Sequence, residues 1–129
     1  MYLLDSDIIV WIIRGDKEII NIIENLGDSK STQVSTITIA EIYKNVFPAE
    51  VTKTDECIYH HGIINVDDKI AKEAGLYWQQ YHKKLKTLSL ADCLIAATAK
   101  NLSFTLITFN TRHYPMTDIK VLNPLKMVN

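Results

Sequence analysis

Ser89-Leu90-Ala91-Asp92-Cys93-Leu94-Ile95-Ala96-Ala97-Thr98-Ala99-Lys100, followed four residues later by Thr105-Leu106-Ile107-Thr108, is the stretch on which the fold turns. Ser89 stands ahead of an apolar run long enough for a helix, which the pattern predicts from Leu90 to Lys100. The second run, bounded by polar residues and too short for a helix, reads as a strand. A helix this apolar is covered on most sides. A helix followed closely by a strand is one unit of the alternation that builds a parallel sheet covered by helices on both faces.

Working outward, the same alternation recurs. Tyr2–Leu4 is a short apolar strand ending at Asp5, and Ile8–Ile13 is apolar throughout, compatible with a buried helix or a strand. Asp16 caps an amphipathic helix with Ile19, Ile20, Ile22, Ile23 and Leu26 on one face. Gln33–Ser35 reads as a strand, then a helix from about Ile39 to Phe47 stopped by Pro48, and a further helix around Thr54–Tyr59. Ile63–Val66 is a third strand, and Asp67 or Asp68 caps a long helix to about Leu85. After the basic loop Lys83–Lys86 come the quoted helix and strand, and Lys120–Leu122 is a fifth strand. Strands alternating with helices predict an α/β fold with a central parallel sheet of four to five strands. Neither a repeat nor a Pro/Gly-rich linker interrupts residues 1–129, so one domain is expected.

Composition excludes little. Hydrophobic residues are 47% and charged residues 22%, an ordinary globular balance, and the net charge of −1 argues against coating nucleic acid by bulk charge. A local basic patch would still hold RNA. Cys57 and Cys93 have neither disulfide-framework nor zinc-site spacing. The opening residues lack a positive n-region and reach Arg14 too soon to span a bilayer, so no membrane association and a cytoplasmic location are expected.

Three acids stand where a structural account is awkward. Asp5 ends the first strand, Glu41 lies one turn into its helix, and Asp92 sits in the most apolar helix. Each has a plain alternative: Thr38-Ile39-Ala40-Glu41 and Ser89-Leu90-Ala91-Asp92 have capping-box form, and Asp5 or Asp7 fits an N-cap. Jointly they ask for more. A desolvated carboxylate needs a cation, a metal or donors, and no dedicated lysine or arginine is evident for each of the three. A hard divalent cation with oxygen ligands satisfies acids that meet at one sheet edge, where such folds bind ligands. That arrangement serves metal-assisted phosphodiester cleavage.

The order and spacing of these acids resemble the PIN-domain ribonucleases, the VapC toxins in particular. The matching segments are Tyr2–Ile9, Ser35–Ile42, Leu90–Ala99 and Leu106–Tyr114, with Val121-Leu122-Asn123-Pro124 near the end. The resemblance implies a three-layer α/β/α PIN fold and a Mg²⁺-dependent endoribonuclease acting on structured RNA, with Mn²⁺ able to substitute. It implies Asp5, Glu41 and Asp92 as metal-binding and catalytic acids, with Thr108 ordering the site through its hydroxyl. It also implies a homodimer, and a VapB-type antitoxin in a type II toxin–antitoxin pair. Two positions depart from the pattern. Asn110 replaces a frequent fourth acid and is at best a neutral oxygen ligand, which puts a tightly held second metal in doubt; Asp7 replaces a common Asn. Asp7 either restores the charge missing at position 110 or is an N-cap.

Cations are needed beside the acids to hold a nucleic acid. Arg112, Arg14 and Lys44 are candidates for substrate contact, with Thr108 beside them, and Lys83, Lys84 and Lys86 either line the cleft or form a solvated helix end. His60, His61 and His82 show no metal-ligand spacing, and the stripe Leu76, Tyr77, Trp78, Tyr81 suggests core or dimer contact more than base stacking. Two rival readings are a PIN module that binds without cleaving, and a haloacid-dehalogenase-like phosphatase built on Asp5-Ser6-Asp7 with Asp67–Asp68 as a later acid pair.

Overall fold

A computed structural model describes residues 1–127; the last two residues of the expected unit lie outside the described residues. Five strands, β1 (Tyr2–Leu4), β2 (Thr32–Ser35), β3 (Gly62–Ile64), β4 (Thr105–Ile107) and β5 (Lys120–Leu122), form one parallel sheet in the order β3-β2-β1-β4-β5. Six α-helices cover it: α1 (Ser6–Ile13), α2 (Lys17–Glu24), α3 (Thr36–Tyr43), α4 (Val51–Tyr59), α5 (Asp68–Tyr81) and α6 (Leu90–Leu102).

The sheet is buried on both faces, as its apolar strands require. Leu3 and Leu106 pack with α5 and α6 on one side, whereas Leu4, Val34 and Ile107 pack with α1, α2 and α4 on the other. Leu3 and Leu4 are both fully buried on opposite faces, and each contributes about 1.5–3 kcal/mol relative to exposure. No helix among the described residues is long and apolar enough to cross a membrane.

Side-chain oxygens start most helices. Asp16, Asp67 and Ser89 accept hydrogen bonds from the N–H groups of Ile19, Ile70 and Asp92, satisfying donors that a helix start leaves unpaired. One expectation about caps is corrected and one open alternative is settled. The helix carrying Glu41 begins at Thr36, capped by Ser35 through the N–H of Ile37, so Thr38 lies inside it with a buried hydroxyl. That helix ends at Tyr43, short of Phe47, because a residue before proline is driven out of the helical region; Phe47 is extended and Pro48 opens a 3₁₀ turn into α4. The cap of α1 is Asp5, which accepts from the N–H of Ser6, and not Asp7.

Strand order locates the crevice. From β1 the chain steps outward to β2 and β3, then crosses back over β1 to β4 and β5. The order therefore reverses between β1 and β4, and their carboxyl ends define the switch point. Register pairs Leu4 with Ile107, so the next residues, Asp5 and Thr108, emerge side by side.

Candidate active site

Asp5 is held by three donors. It continues the extended backbone of β1, so it keeps the parity of Leu3 and turns toward the α5/α6 side of the sheet. It is 7% exposed. Its Oδ1 accepts from the Ser6 N–H at 2.8 Å, and its Oδ2 accepts from the hydroxyls of Thr108 at 2.9 Å and Tyr114 at 2.7 Å. Burial pushes the Asp5 carboxyl above its ordinary value and the charge of Asp92 adds to this, while the three donors pull it down. Burial and the surrounding acids raise the Tyr114 phenol far above its usual range, so it is a donor at any physiological pH.

Asp7, one residue into α1, is tied to the segment after β4. Its Oδ2 accepts from the backbone N–H of Phe109 at 3.0 Å, from Asn110 Nδ2 at 3.2 Å and from the Thr108 hydroxyl at 3.3 Å. Thr108 has one hydroxyl proton, so Asp5 and Asp7 share it. Asp7 Oδ1 is buried without a partner. Burial first, then the negative charge of Asp5, pushes the Asp7 carboxyl up to about 6.

Glu41 and Asp92 complete the group from the helices. The connection from α6 to β4 is only two residues, so α6 runs antiparallel to β4 and its first turn, with Asp92, stands at the carboxyl edge. Glu41, in the second turn of α3, has its carboxyl raised by burial, then by the charges of Asp5 and Asp92, against the pull of Lys44. Four carboxylates thus share one field. Among the described residues none of them forms an ion pair; the ion pairs present join Lys100 to Glu73 and Asp118.

The donor set is entirely oxygen, one buried carboxylate oxygen is unsatisfied, and no ion pair among the described residues neutralises the four charges, with Lys44 acting on Glu41 only through its field. That chemistry fits a hard divalent cation held through one or two carboxylates and water. The fit is an open one: among the described residues no three His, Cys, Asp or Glu side chains close around a point that a metal ion would fill.

The expected site residues divide. Asp5, Asp7, Thr108 and Asn110 meet through direct hydrogen bonds, and Glu41 and Asp92 join them electrostatically. Thr108 is fully buried, so the substrate contact expected of it is closed; its hydroxyl serves the acids. Arg112 is exposed in a 3₁₀ turn two residues past Asn110. Arg14 is not brought to the acids. It caps the far end of α1, about 13 Å along the helix axis from Asp5, and lies over the Trp11 ring at 5.5 Å. Sequence reasoning missed the role of Tyr114, whose hydroxyl has no signature apart from its place at the end of the Leu106–Tyr114 segment.

These features define a class: a doubly wound α/β domain with acids gathered at the switch point of its sheet. The PIN domain family matches residues 2–118, and the chain belongs to that family. It is similar to Ribonuclease VapC10 of Mycobacterium tuberculosis, 27% identical over 116 residues that span 90% of this chain and 87% of that protein. A chain of a toxin–antitoxin complex from Klebsiella pneumoniae is 26% identical with a TM-score of 0.78, over 96% of this chain and 98% of that one. A chain of VapBC2 from Rickettsia felis, solved with a DNA fragment from its promoter, shares the fold at a TM-score of 0.82 and 23% identity, over 95% and 97% of the two chains. The phosphatase reading falls with this assignment, and Asp67 is engaged in capping α5.

Proposed function

We propose that the chain is a divalent-metal-dependent endoribonuclease, the toxin of a toxin–antitoxin pair, with Asp5, Glu41 and Asp92 as its metal-binding and catalytic acids. The observation that carries this is the set of four carboxylates, none in an ion pair among the described residues, at the carboxyl edge between β1 and β4. Likeness to VapC10, a named ribonuclease, and to chains of toxin–antitoxin and VapBC complexes supports the activity and a VapB-type antitoxin as partner. Resemblance to the family carries a homodimer, a structured RNA substrate and a cytoplasmic location into the same proposal.

Bound Mg²⁺ or Mn²⁺ supplies an activated water and offsets charge on the scissile phosphate. The protein's part is positioning. Ser6, Thr108 and Tyr114 hold the Asp5 carboxylate in one orientation. Glu41, whose carboxyl burial and the charges of Asp5 and Asp92 raise above its ordinary value, is the proton acceptor in this reading. Asn110 acts through Asp7, which brings the negative charge that position 110 lacks. Arg112 and Lys44 hold the phosphates nearest the acids, and Arg14 a more distant one.

Incubation of cellular RNA with the purified protein in Mg²⁺ or Mn²⁺ tests the reading, with chelator and Asp92→Ala as controls. Discrete fragments that vanish in both controls are the expected result; intact RNA throughout overturns it. One observation favours a second reading, a PIN module that binds without cutting: the donors on Asp5 satisfy it without a metal, and no three ligands converge. RNA affinity that survives chelator, with no cleavage in either metal, would establish that module.

A further inference from the structure

Trp78 and His82 form a stack that the core does not require. Their rings are parallel within 2° at a centroid distance of 3.8 Å, one helical turn apart at the end of α5. Tyr77, the adjacent aromatic residue, is buried, whereas Trp78 is 41% exposed. The stack is preset: His82 Nδ1 lies 2.7 Å from the Trp78 carbonyl, which fixes the imidazole against the indole. Together with Lys83, Lys86 and Leu88, the two rings line a pocket of about 370 Å³. Lys83, Lys84 and Lys86 are exposed, and none forms an ion pair among the described residues.

Position gives this patch a meaning. Leu88 is buried at the base of the pocket and precedes Asp92 by four residues, so their Cα atoms are at most about 14 Å apart. The patch therefore lies beside the start of α6, the helix that carries Asp92. Phosphate is repelled by four clustered acids, so a polyanion reaching them needs cations nearby. Leu76 (59% exposed) lies two residues from Trp78, about 200° around the helix, and so does not extend the patch into an apolar face. Aromatic rings flanked by unpaired lysines are the surface that single-stranded nucleic acid uses: bases stack while cations track the backbone.

We propose, resting on the ribonuclease reading above, that Trp78, His82, Lys83 and Lys86 form a subsite for a single-stranded RNA segment flanking the cleaved bond. A base stacks on the Trp78–His82 pair, and the lysines contact the adjoining phosphates. The patch acts on affinity and leaves the chemical step to the acids.

The test is fluorescence anisotropy of a short, labelled single-stranded oligoribonucleotide with the full chain in chelator, where cleavage is suppressed. Trp78→Ala weakens binding roughly tenfold, the loss of one stacked base, while Trp78→Phe retains affinity within a few-fold. Lys83→Gln/Lys86→Gln lowers the slope of log affinity against log salt by about 1.4. In metal, the same variants raise KM with kcat little changed. Unchanged affinity and salt slope in all of them overturn the subsite. Unchanged affinity with a shift of oligomeric state in sedimentation also overturns it, and identifies the face as a contact between copies. Wild-type protein that cuts RNA while Trp78→Ala binds normally sinks the subsite alone; wild-type protein that binds through Trp78 but never cuts sinks the ribonuclease reading and leaves the subsite standing.

Discussion

The acid cluster has two halves built differently. Asp5 and Asp7 are tied down by a network that joins the first strand and helix to the segment after β4, drawing on Ser6, Thr108, Phe109, Asn110 and Tyr114. The Glu41 and Asp92 side chains make no hydrogen bond among the described residues. The fixed half costs nothing to orient when a cation arrives, and the free half is able to turn toward it. Preorganised charge beside adjustable charge suits the metal-holding site proposed above.

The sharpest way to break the comparison is Asp92→Ala. In the free half, an acid can be removed without orphaning a donor, so cleavage falls at least about 100-fold while Tm stays within a few degrees. Initial rates and thermal melts on one preparation check both. A large loss of stability would move Asp92 into the fixed half.

Asp5→Ala reverses the pattern. It strands the Ser6 N–H and the buried Tyr114 hydroxyl, leaves Thr108 only Asp7 to donate to, and destabilises by on the order of 2–3 kcal/mol in addition to abolishing cleavage. Denaturant unfolding measures this, and a variant as stable as the parent would show that the network is not holding the edge together.

Tyr114→Phe removes one donor and nothing else of the ring, costing about 1–2 kcal/mol. Without that donor the Asp5 carboxyl rises further, so the acidic limb of the pH–rate profile moves to higher pH. An unmoved limb would mean that the tyrosine packs but does not position.

A further effect is on pH-dependent stability. The Asp7 carboxyl is raised to about 6 from an ordinary 3.8, so the folded protein favours its protonated form and its contribution is lost as pH rises between those values. In chelator, Asp7→Asn is therefore more stable than wild type at pH 7 and no more stable at pH 4. The comparison between variants matters because buried His61, lowered to about 4 by burial and bonded to the Thr32 hydroxyl at 2.6 Å, pulls the opposite way as pH falls from 6.5. Divalent cation at pH 7 narrows the gap between the two proteins, since it answers the charge that Asp7 carries. A gap equal at both pH values would show that Asp7 is not held protonated by its surroundings.

Much of this is legible in the sequence. The apolar runs at Tyr2–Leu4 and Thr105–Ile107, the stripe of isoleucines after Asp16 and the caps at Asp16 and Ser89 encode their own local structure, because pattern and capping act over a few residues. Position alone marked Asp5, Glu41 and Asp92, since an acid beside an apolar run has to be explained. The errors lie where two local signals compete. Thr38 has capping-box form and Asp5 and Asp7 both fit an N-cap, and only the packed chain shows that Ser35 and Asp5 are the oxygens facing an unpaired N–H.

By itself, then, the sequence determined that strands alternate with helices, that the sheet is buried on both faces, and which acids are anomalous. Tertiary structure alone decided the order β3-β2-β1-β4-β5, and with it the adjacency of Asp5 and Thr108. It alone brought the Tyr114 hydroxyl to a carboxylate 109 residues earlier and left Arg14 at the opposite end of its helix. Local pattern specifies which face of an element is buried; contacts across a hundred residues depend on which strands become neighbours, and no short-range signal carries that.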